Sequence, residues 1–356
     1  MIVVNCRFLT QEVTGVQRFA EEIVAELLSL RDDLVLVAPP GPLRMASIAG
    51  TPVRQWGKHQ GHLWEQWDLR RALSQTPGKP LLLSLTNTGP VLRRRQVVTH
   101  HDVTYVREPH TYSLQFRTAY RLLSALTLRP AKAVVTVSEF SRQEIAAVYR
   151  LDPAKISVVP NAASQGFHQE SGLEADPPYF LAVSSLLPHK NIDLLVRTFQ
   201  RYVESTGSPT RLKLVGSTPE SVARTNGGGT SSTAIEYLGR VDDQELRRLY
   251  ASARAFVFPS LYEGFGIPPL EAQASGLPVL ASDAAALREV LGSSARYFAR
   301  QSEESLLAGL RELDTDAVLR QKFISLGQEN AAKYSWSYSA EAVNGLLSTL
   351  TEGARP

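Results

Sequence analysis

Pro259-Ser260-Leu261-Tyr262-Glu263-Gly264-Phe265-Gly266-Ile267-Pro268-Pro269-Leu270-Glu271-Ala272 is the stretch on which the reading of this chain turns. Before it runs Ala255–Phe258, an apolar segment suited to a strand buried on both faces. After it a helix is expected to open at Pro268 or Pro269, because a first-turn proline gives up no intrahelical N–H. Gly264 and Gly266 let the backbone approach a ligand closely, and free amides at a helix start suit phosphate oxygens. Glu263 and Glu271, one before the helix and one inside it, can face the same pocket. Carboxylates beside a phosphate make chemical sense when they accept hydrogen bonds from hydroxyls, as those of a sugar or a ribose.

The same strand–loop–helix unit repeats in both directions. Val3-Val4, Leu34–Val37, Leu81–Leu85, Val97–His100, Ala133–Val137 and Ile156–Val159 are short apolar runs, separated by helical periodicity at Val16–Leu30 and Tyr112–Leu128. A second series has strands near Tyr179–Val183, Leu212–Val215, Ile235–Leu238, Ala255–Phe258 and Val279–Ala281, with helices at Asn191–Glu204, Asp243–Ala251 and Pro268–Ser275. Alternating strands and helices imply α/β domains with mostly parallel sheets. The polar segment 163–178 separates the series, giving domains 1–168 and 169–335, with 336–356 as a helix returning to the first domain. Asn226-Gly227-Gly228-Gly229-Thr230 is read as a flexible loop rather than a phosphate loop, since no Lys-Ser/Thr follows it. Two doubly wound domains would place ligands at the strand C-termini, facing a central cleft.

At 356 residues the chain exceeds what one core usually serves, and 43% hydrophobic with 21% charged residues excludes disordered and fibrous classes. No window nears the roughly 18 consecutive apolar residues a spanning helix needs. The start MIVVNCRFL lacks the parts of a secretion signal, so a cytoplasmic protein is expected. One cysteine, Cys6, excludes a disulfide framework. Residues 1–165 hold 20 Lys and Arg against 13 Asp and Glu, a formal +7, and the remainder 18 against 22, a formal −4. A basic half attracts phosphates or an anionic membrane surface, and Arg93-Arg94-Arg95 and Arg70-Arg71 contribute to it. Nothing resembling a nucleic-acid-binding motif accompanies the charge, so nucleic acid is not an expected partner.

With Glu263 and Glu271 as a Glu-x7-Glu pair, EGFGIPPLEA followed by GLPVLASD resembles the retaining glycosyltransferases of family 4, which have the GT-B fold. The resemblance extends along the whole chain. TGVQRF (Thr14–Phe19) is similar to the family's first-domain glycine loop. HHDVTY (His100–Tyr105) is similar to its His-Asp segment, and TVSEFSRQEI (Thr136–Ile145) to its serine-containing turn. VVPNA (Val158–Ala162) resembles the end of domain one, and LAVSSLLPHKN (Leu181–Asn191) the first strand and phosphate-binding turn of domain two.

That resemblance implies an N-terminal acceptor-binding domain, a C-terminal domain for a nucleotide-diphosphate sugar, and the following roles. Glu263 holds donor-sugar hydroxyls and Glu271 the nucleotide ribose, with Gly264, Phe265, Gly266 and Ile267 around them. Lys190 neutralises the diphosphate leaving group. Many relatives carry a second cation, an arginine, near this turn, where Ser185 and His189 stand here. A protonated His189 or an arginine of the first domain is expected to make up for it. Gly15 brings backbone amides towards the diphosphate, with Arg18 one turn further on. His101 lies beside donor sugar and acceptor, with Asp102 either fixing the loop or taking part. Arg93, Arg94 and Trp64 fall on the acceptor or membrane side. Trp64 can equally start a core helix with Trp67.

The activity implied is transfer of a hexose, with retention, to an acceptor hydroxyl of a lipid-linked or cell-surface glycan, from a protein peripheral to the cytoplasmic face of the membrane. GDP-mannose is the first expected donor, with UDP- and dTDP-sugars behind it. No metal or other cofactor is expected. Of His100, His101 and Asp102, only His100 and Asp102 could converge on a metal if the strand continues through them, since neighbours on a strand face opposite ways. Asp314-Thr315-Asp316 lies between helices, where N-capping accounts for it. Two rivals share the architecture, a nucleotide-sugar 2-epimerase and a catalytically silent sugar-nucleotide binding protein. Hydride transfer is disfavoured, because no Gly-x-Gly-x-x-Gly follows the first strand.

Overall fold

The computed structural model describes residues 1–164, 166–167, 175–216 and 234–352. The loop expected at Asn226–Thr230 lies outside the described residues. The chain divides into two compact units, Met1–Asn161 with Ser335–Pro356, and Ala162–Tyr334.

The first unit is built on strands β1 (Ile2–Asn5), β2 (Leu34–Ala38), β5 (Arg54–Gln55), β6 (Leu81–Ser84), β7 (Gln96–Thr99), β8 (Ala133–Thr136) and β9 (Ile156–Val158). β3 (Ser47–Ile48) and β4 (Thr51–Pro52) form a separate short antiparallel pair. The main sheet has the order β5-β2-β1-β6-β7-β8-β9, and every pairing in it is parallel. Its central strands are buried at every position, which is why they read as unbroken apolar runs and not as alternating ones. Helices α1 (Gly15–Leu30), α2 (Gly61–Gln66), α3 (Asp68–Gln75), α4 (Thr104–Arg107), α5 (Leu114–Leu128) and α6 (Glu139–Tyr149) connect them. A capping box starts α1: the Thr14 hydroxyl accepts from Val16 N–H, and Gln17 Oε1 accepts from Thr14 N–H.

The second unit repeats the scheme with β10 (Tyr179–Ser184), β11 (Arg211–Gly216), β12 (Ile235–Gly239), β13 (Ala255–Phe258), β14 (Val279–Ser282) and β15 (Arg296–Phe298). The order is β12-β11-β10-β13-β14-β15, again all parallel. Its helices are α7 (Ile192–Thr206), α8 (Asp243–Ser252), α9 (Ile267–Ala274), α10 (Ala285–Leu291), α11 (Glu303–Thr315) and α12 (Ala317–Ala331). Phe180, Phe199, Leu212, Val257, Phe298 and Leu310 are fully buried members of its core, each contributing about 1.5–3 kcal/mol by burial. Asp316 caps α12 by accepting from Leu319 N–H at 2.8 Å, as the sequence suggests. Asp314 does something else. Its carboxylate takes hydrogen bonds from Tyr202, Ser208, Thr210 and Arg254, tying α11 to α7 and β13.

The last helix, α13 (Trp336–Glu352), belongs to the first unit, as expected of a returning C-terminal helix. It packs on α1, with Trp336 edge-on to Phe19 at 6.0 Å. Arg31, the residue that ends α1, donates to Asn344 Oδ1 at 2.8 Å and Ser348 Oγ at 2.9 Å.

Both sheets start in the middle and wind outwards twice. The connections therefore diverge between β1 and β6 in the first unit, and between β10 and β13 in the second. Open parallel sheets bind ligands beyond the strand C-termini at such switch points.

Candidate functional site

The segments leaving β10 and β13 meet at the switch point of the second unit. After β10 the chain makes a short 3-10 turn, Pro188–Lys190, with Lys190 N–H donating to Leu187 O at 2.8 Å. Asn191 then takes a left-handed conformation (φ 57°), which asparagine tolerates better than most residues, and α7 begins. Its side-chain amide donates to Pro259 O at 3.2 Å and to Arg300 O at 3.0 Å. His189 is buried, and its carbonyl accepts from Leu261 N–H at 2.7 Å. The turn is thus stitched to the loop that carries Glu263.

Lys190 Nζ lies 2.6 Å from Glu263 Oε1, with the two side chains 20% and 12% exposed. At that depth an ion pair is only weakly screened, so it holds both groups at the surface of the site. Gly266 ends the loop at φ 107°, where a Cβ would sit 2.6 Å from Leu287 Cδ2. Glycine is demanded twice here, by backbone angle and by space. α9 opens one residue earlier than the prolines suggest, at Ile267, with proline in its first turn. Phe265 is buried edge-on to Tyr334 at 5.6 Å, and Gly264 is buried beside it. Glu271 is buried on α9 and accepts from Ser164 Oγ at 2.9 Å. Ser185 is half-buried just past the end of β10.

Sequence reading overlooked Arg300. It lies just beyond β15, and its guanidinium donates to Leu261 O at 3.3 Å. Its N–H donates to Asp283 Oδ1 at 3.1 Å, and its carbonyl accepts from Asn191. An exposed arginine is therefore anchored between the Lys190 turn and the Glu263 loop. Lys190, Glu263 and Arg300 share one edge of the sheet with the N-terminus of α9, and Glu271 lies one turn into that helix.

A second polar group occupies the matching edge of the first unit. His101 is buried; its Nε2 lies 3.0 Å from Leu85 O, its N–H donates to Asn87 Oδ1 at 2.8 Å, and Phe19 packs on it edge-on at 5.0 Å. β7 ends at Thr99, so strand alternation does not govern His100–Asp102, and both histidines turn inward. His100 Nε2 is 3.2 Å from the Tyr105 hydroxyl. Burial pushes His100 down to about 4 despite the nearby Asp102 charge. Burial likewise lowers His101, against the Leu85 hydrogen bond and Asp102. Both are neutral at neutral pH. Asp102 accepts from Thr104 N–H at 2.8 Å and from its hydroxyl at 2.6 Å, which fixes the loop into α4.

Arg7 and Glu65 were not legible as a pair. They form a buried ion pair at 3.1 Å, with Thr88, Asn5 and His62 completing the carboxylate's partners. Burial alone would raise Glu65, but the Arg7 charge and the hydrogen bonds from His62 and Asn5 hold it below the usual carboxylate range. Gly15 is exposed and takes up helical backbone as the first residue of α1, with half-buried Arg18 in the same turn.

One expectation needs correction. Trp64 is fully buried, with its indole N–H donating to Trp56 O at 2.6 Å, so it offers no ring face to a sugar or a membrane. Its neighbour Trp67 is 67% exposed. Arg93 and Arg94 precede β7 and His101 and Asp102 follow it, so the two groups lie at opposite ends of that strand. A four-residue strand puts about 13 Å between its two edges.

Residues 13–164 match the family described as Glycosyltransferase Family 4, and residues 164–330 the one described as Glycosyl transferases group 1. The chain is 32% identical to the O-antigen chain mannosyltransferase RfbU of Salmonella typhimurium over 73% of its own length and 72% of that protein's. It is 32% identical to the O-antigen chain mannosyltransferase B of Escherichia coli over 68% and 67% respectively. A sucrose-phosphate synthase from Thermosynechococcus elongatus shares its fold at a TM-score of 0.77, with 15% identity and 99% of each chain covered. The chain belongs to the glycosyltransferases, with a family 4 first half and a group 1 second half.

Proposed function

We propose that this glycosyltransferase moves a mannosyl group from GDP-mannose to a hydroxyl of a lipid-linked or cell-surface glycan, with retention at the anomeric carbon. The observation that carries the reading is the Lys190–Glu263 pair at the switch point of the second unit. A cation for the leaving diphosphate and an acceptor for sugar hydroxyls stand in contact there. The O-antigen mannosyltransferases among its relatives support the choice of sugar and acceptor class, and they do not favour a nucleotide-sugar epimerase.

In this reading the donor diphosphate lies against Lys190, Arg300 and the N-terminal amides of α9. Arg300 supplies the second cation that Ser185 does not, in place of a charged His189 or a first-domain arginine. Glu263 takes sugar hydroxyls and Glu271 the ribose hydroxyls, Ser164 giving way as they bind. The acceptor oxygen bonds to the anomeric carbon while the bond from that carbon to the diphosphate oxygen breaks. The electron pair stays on the diphosphate, which also receives the acceptor's proton. Negative charge grows on the leaving group, and fixed cations placed there before reaction stabilise it without reorganising. With two side-chain cations in place, the step is written without a metal ion. Neutral His101 orients the acceptor on the first unit.

Among the described residues no helix is long and apolar enough to cross a membrane. A lipid-linked acceptor would bring the basic first unit to an anionic membrane face. Turnover of GDP-mannose with lipid-linked acceptor, compared between the native chain and Lys190→Ala, tests the reading. Equal turnover by the two would remove it.

A further inference from the structure

A cavity of about 570 Å³ lies in the first unit, at the edge where β6 and β7 begin. This is the edge opposite His101. Five cations line it, Arg70, Lys79, Arg93, Arg94 and Arg95, and no aspartate or glutamate does. None of the five is held in an ion pair among the described residues.

The backbone presets this cluster. Arg93 donates to Pro80 O at 2.9 Å and to Arg95 O at 3.2 Å, and Arg70 reaches Val91 O at 3.4 Å. Carbonyl anchors fix where the guanidinium groups point without neutralising them. The Nε of Arg95 is buried and has no hydrogen-bond partner among the described residues. Buried donors rarely go unmatched, so an unmatched one beside four other cations marks a place for an acceptor. Burial, with the charges of Arg70 and Arg95, pushes Arg93 below the ordinary arginine value, a sign of crowded like charge. The volume falls in the range of small-ligand sites, and the aliphatic stems of the arginines supply its apolar walls.

We propose that this pocket binds a dianionic phosphate group, either a phosphomonoester or a diphosphate. Forked guanidinium groups match phosphate oxygens in pairs, and several converging forks favour a group with two charges over one with a single charge. Two sources offer that chemistry, a lipid head group and a free anion. The site is independent of the donor site on the second unit and does not rest on the reading given above.

The test measures binding of inorganic pyrophosphate by calorimetry in a Lys190→Ala background, which weakens pyrophosphate binding at the donor site. The same background with Arg70→Ala and Arg94→Ala is then compared. Both arginines are exposed, so the ligand-free melting temperature should not move. The expected result is saturable binding that weakens at least about tenfold in the arginine variant and recovers with Arg70→Lys and Arg94→Lys. Cosedimentation with phosphatidylcholine vesicles containing phosphatidic acid separates the sources. Vesicle binding that falls with the same variant assigns the group to a lipid head, and pyrophosphate binding without it assigns a free anion. No pyrophosphate binding, or equal binding in parent and arginine variant, overturns the proposal.

Discussion

Lys190 and Glu263 are in contact, Nζ to Oε1 at 2.6 Å, because the turn after β10 and the loop after β13 flank the switch point of one parallel sheet. Winding outwards from β10 and then from β13 leaves these two connections side by side, so residues distant in sequence share one ligand edge.

Lys190→Ala and Glu263→Gln should each lower kcat about 10²–10³-fold, the scale of losing one preset electrostatic contact to a transition state. The double variant should lose less than the sum of the two, because the residues are in contact. Steady-state kinetics on the four proteins measures this. Near-native turnover in either single variant would show that the pair does not serve the reaction.

Arg300→Ala should raise the KM for donor about tenfold, the size of one charge-assisted hydrogen bond. Arg300→Lys should fall between, since a lysine keeps the charge and loses the fork. Adding Ser185→Arg to Arg300→Ala should recover donor affinity by restoring a cation next to the Lys190 turn. An unchanged KM in Arg300→Ala would return the second cation to an unknown source.

His100 makes folding sensitive to acid. Burial lowers its pKa from 6.5 to about 4. The unfolded chain takes up a proton below pH 6.5 that the native protein refuses until near pH 4. The stability from a neutral His100 is thus present above pH 6.5 and lost as pH falls towards 4, in all about 3 kcal/mol at about 1.4 kcal/mol per pKa unit. Melting temperature plotted against pH should be flatter in that window for His100→Gln. Identical slopes in both proteins would contradict the buried neutral imidazole.

Gly266→Ala should cost about 1–3 kcal/mol for its left-handed backbone and crowd Leu287. Trp64→Ala should cost about 3–5 kcal/mol, as a core truncation does, whereas Trp67→Ala should cost little. Chemical denaturation distinguishes them. A well-tolerated Trp64→Ala would contradict its placement in the core.

What was legible in the sequence followed from local rules. Runs such as AVVT and AFVF read as strands because both their faces are buried. The glycines and prolines of EGFGIPP announced a loop entering a helix. β15 escaped notice because two of its three residues, Arg296 and Tyr297, are only half-buried at a sheet edge. Arg300 escaped because its anchor Asn191 is 109 residues away, a contact made by winding and not by spacing. Arg7 and Glu65 pair for the same reason. Trp64 and Trp67 looked alike in sequence, and only the tertiary packing of α2 buries one and exposes the other.

The most direct test is a thermal-shift titration of the native chain with GDP-mannose, GDP, UDP and dTDP. Specific binding to the folded protein should raise its stability by about 2.7 kcal/mol at a hundredfold excess over the dissociation constant, for GDP-mannose and GDP but not for the other bases. The same titration on Lys190→Ala should show the shift lost or much reduced. A shift with UDP or dTDP alone would contradict the donor, and no shift with any nucleotide would contradict the donor site itself.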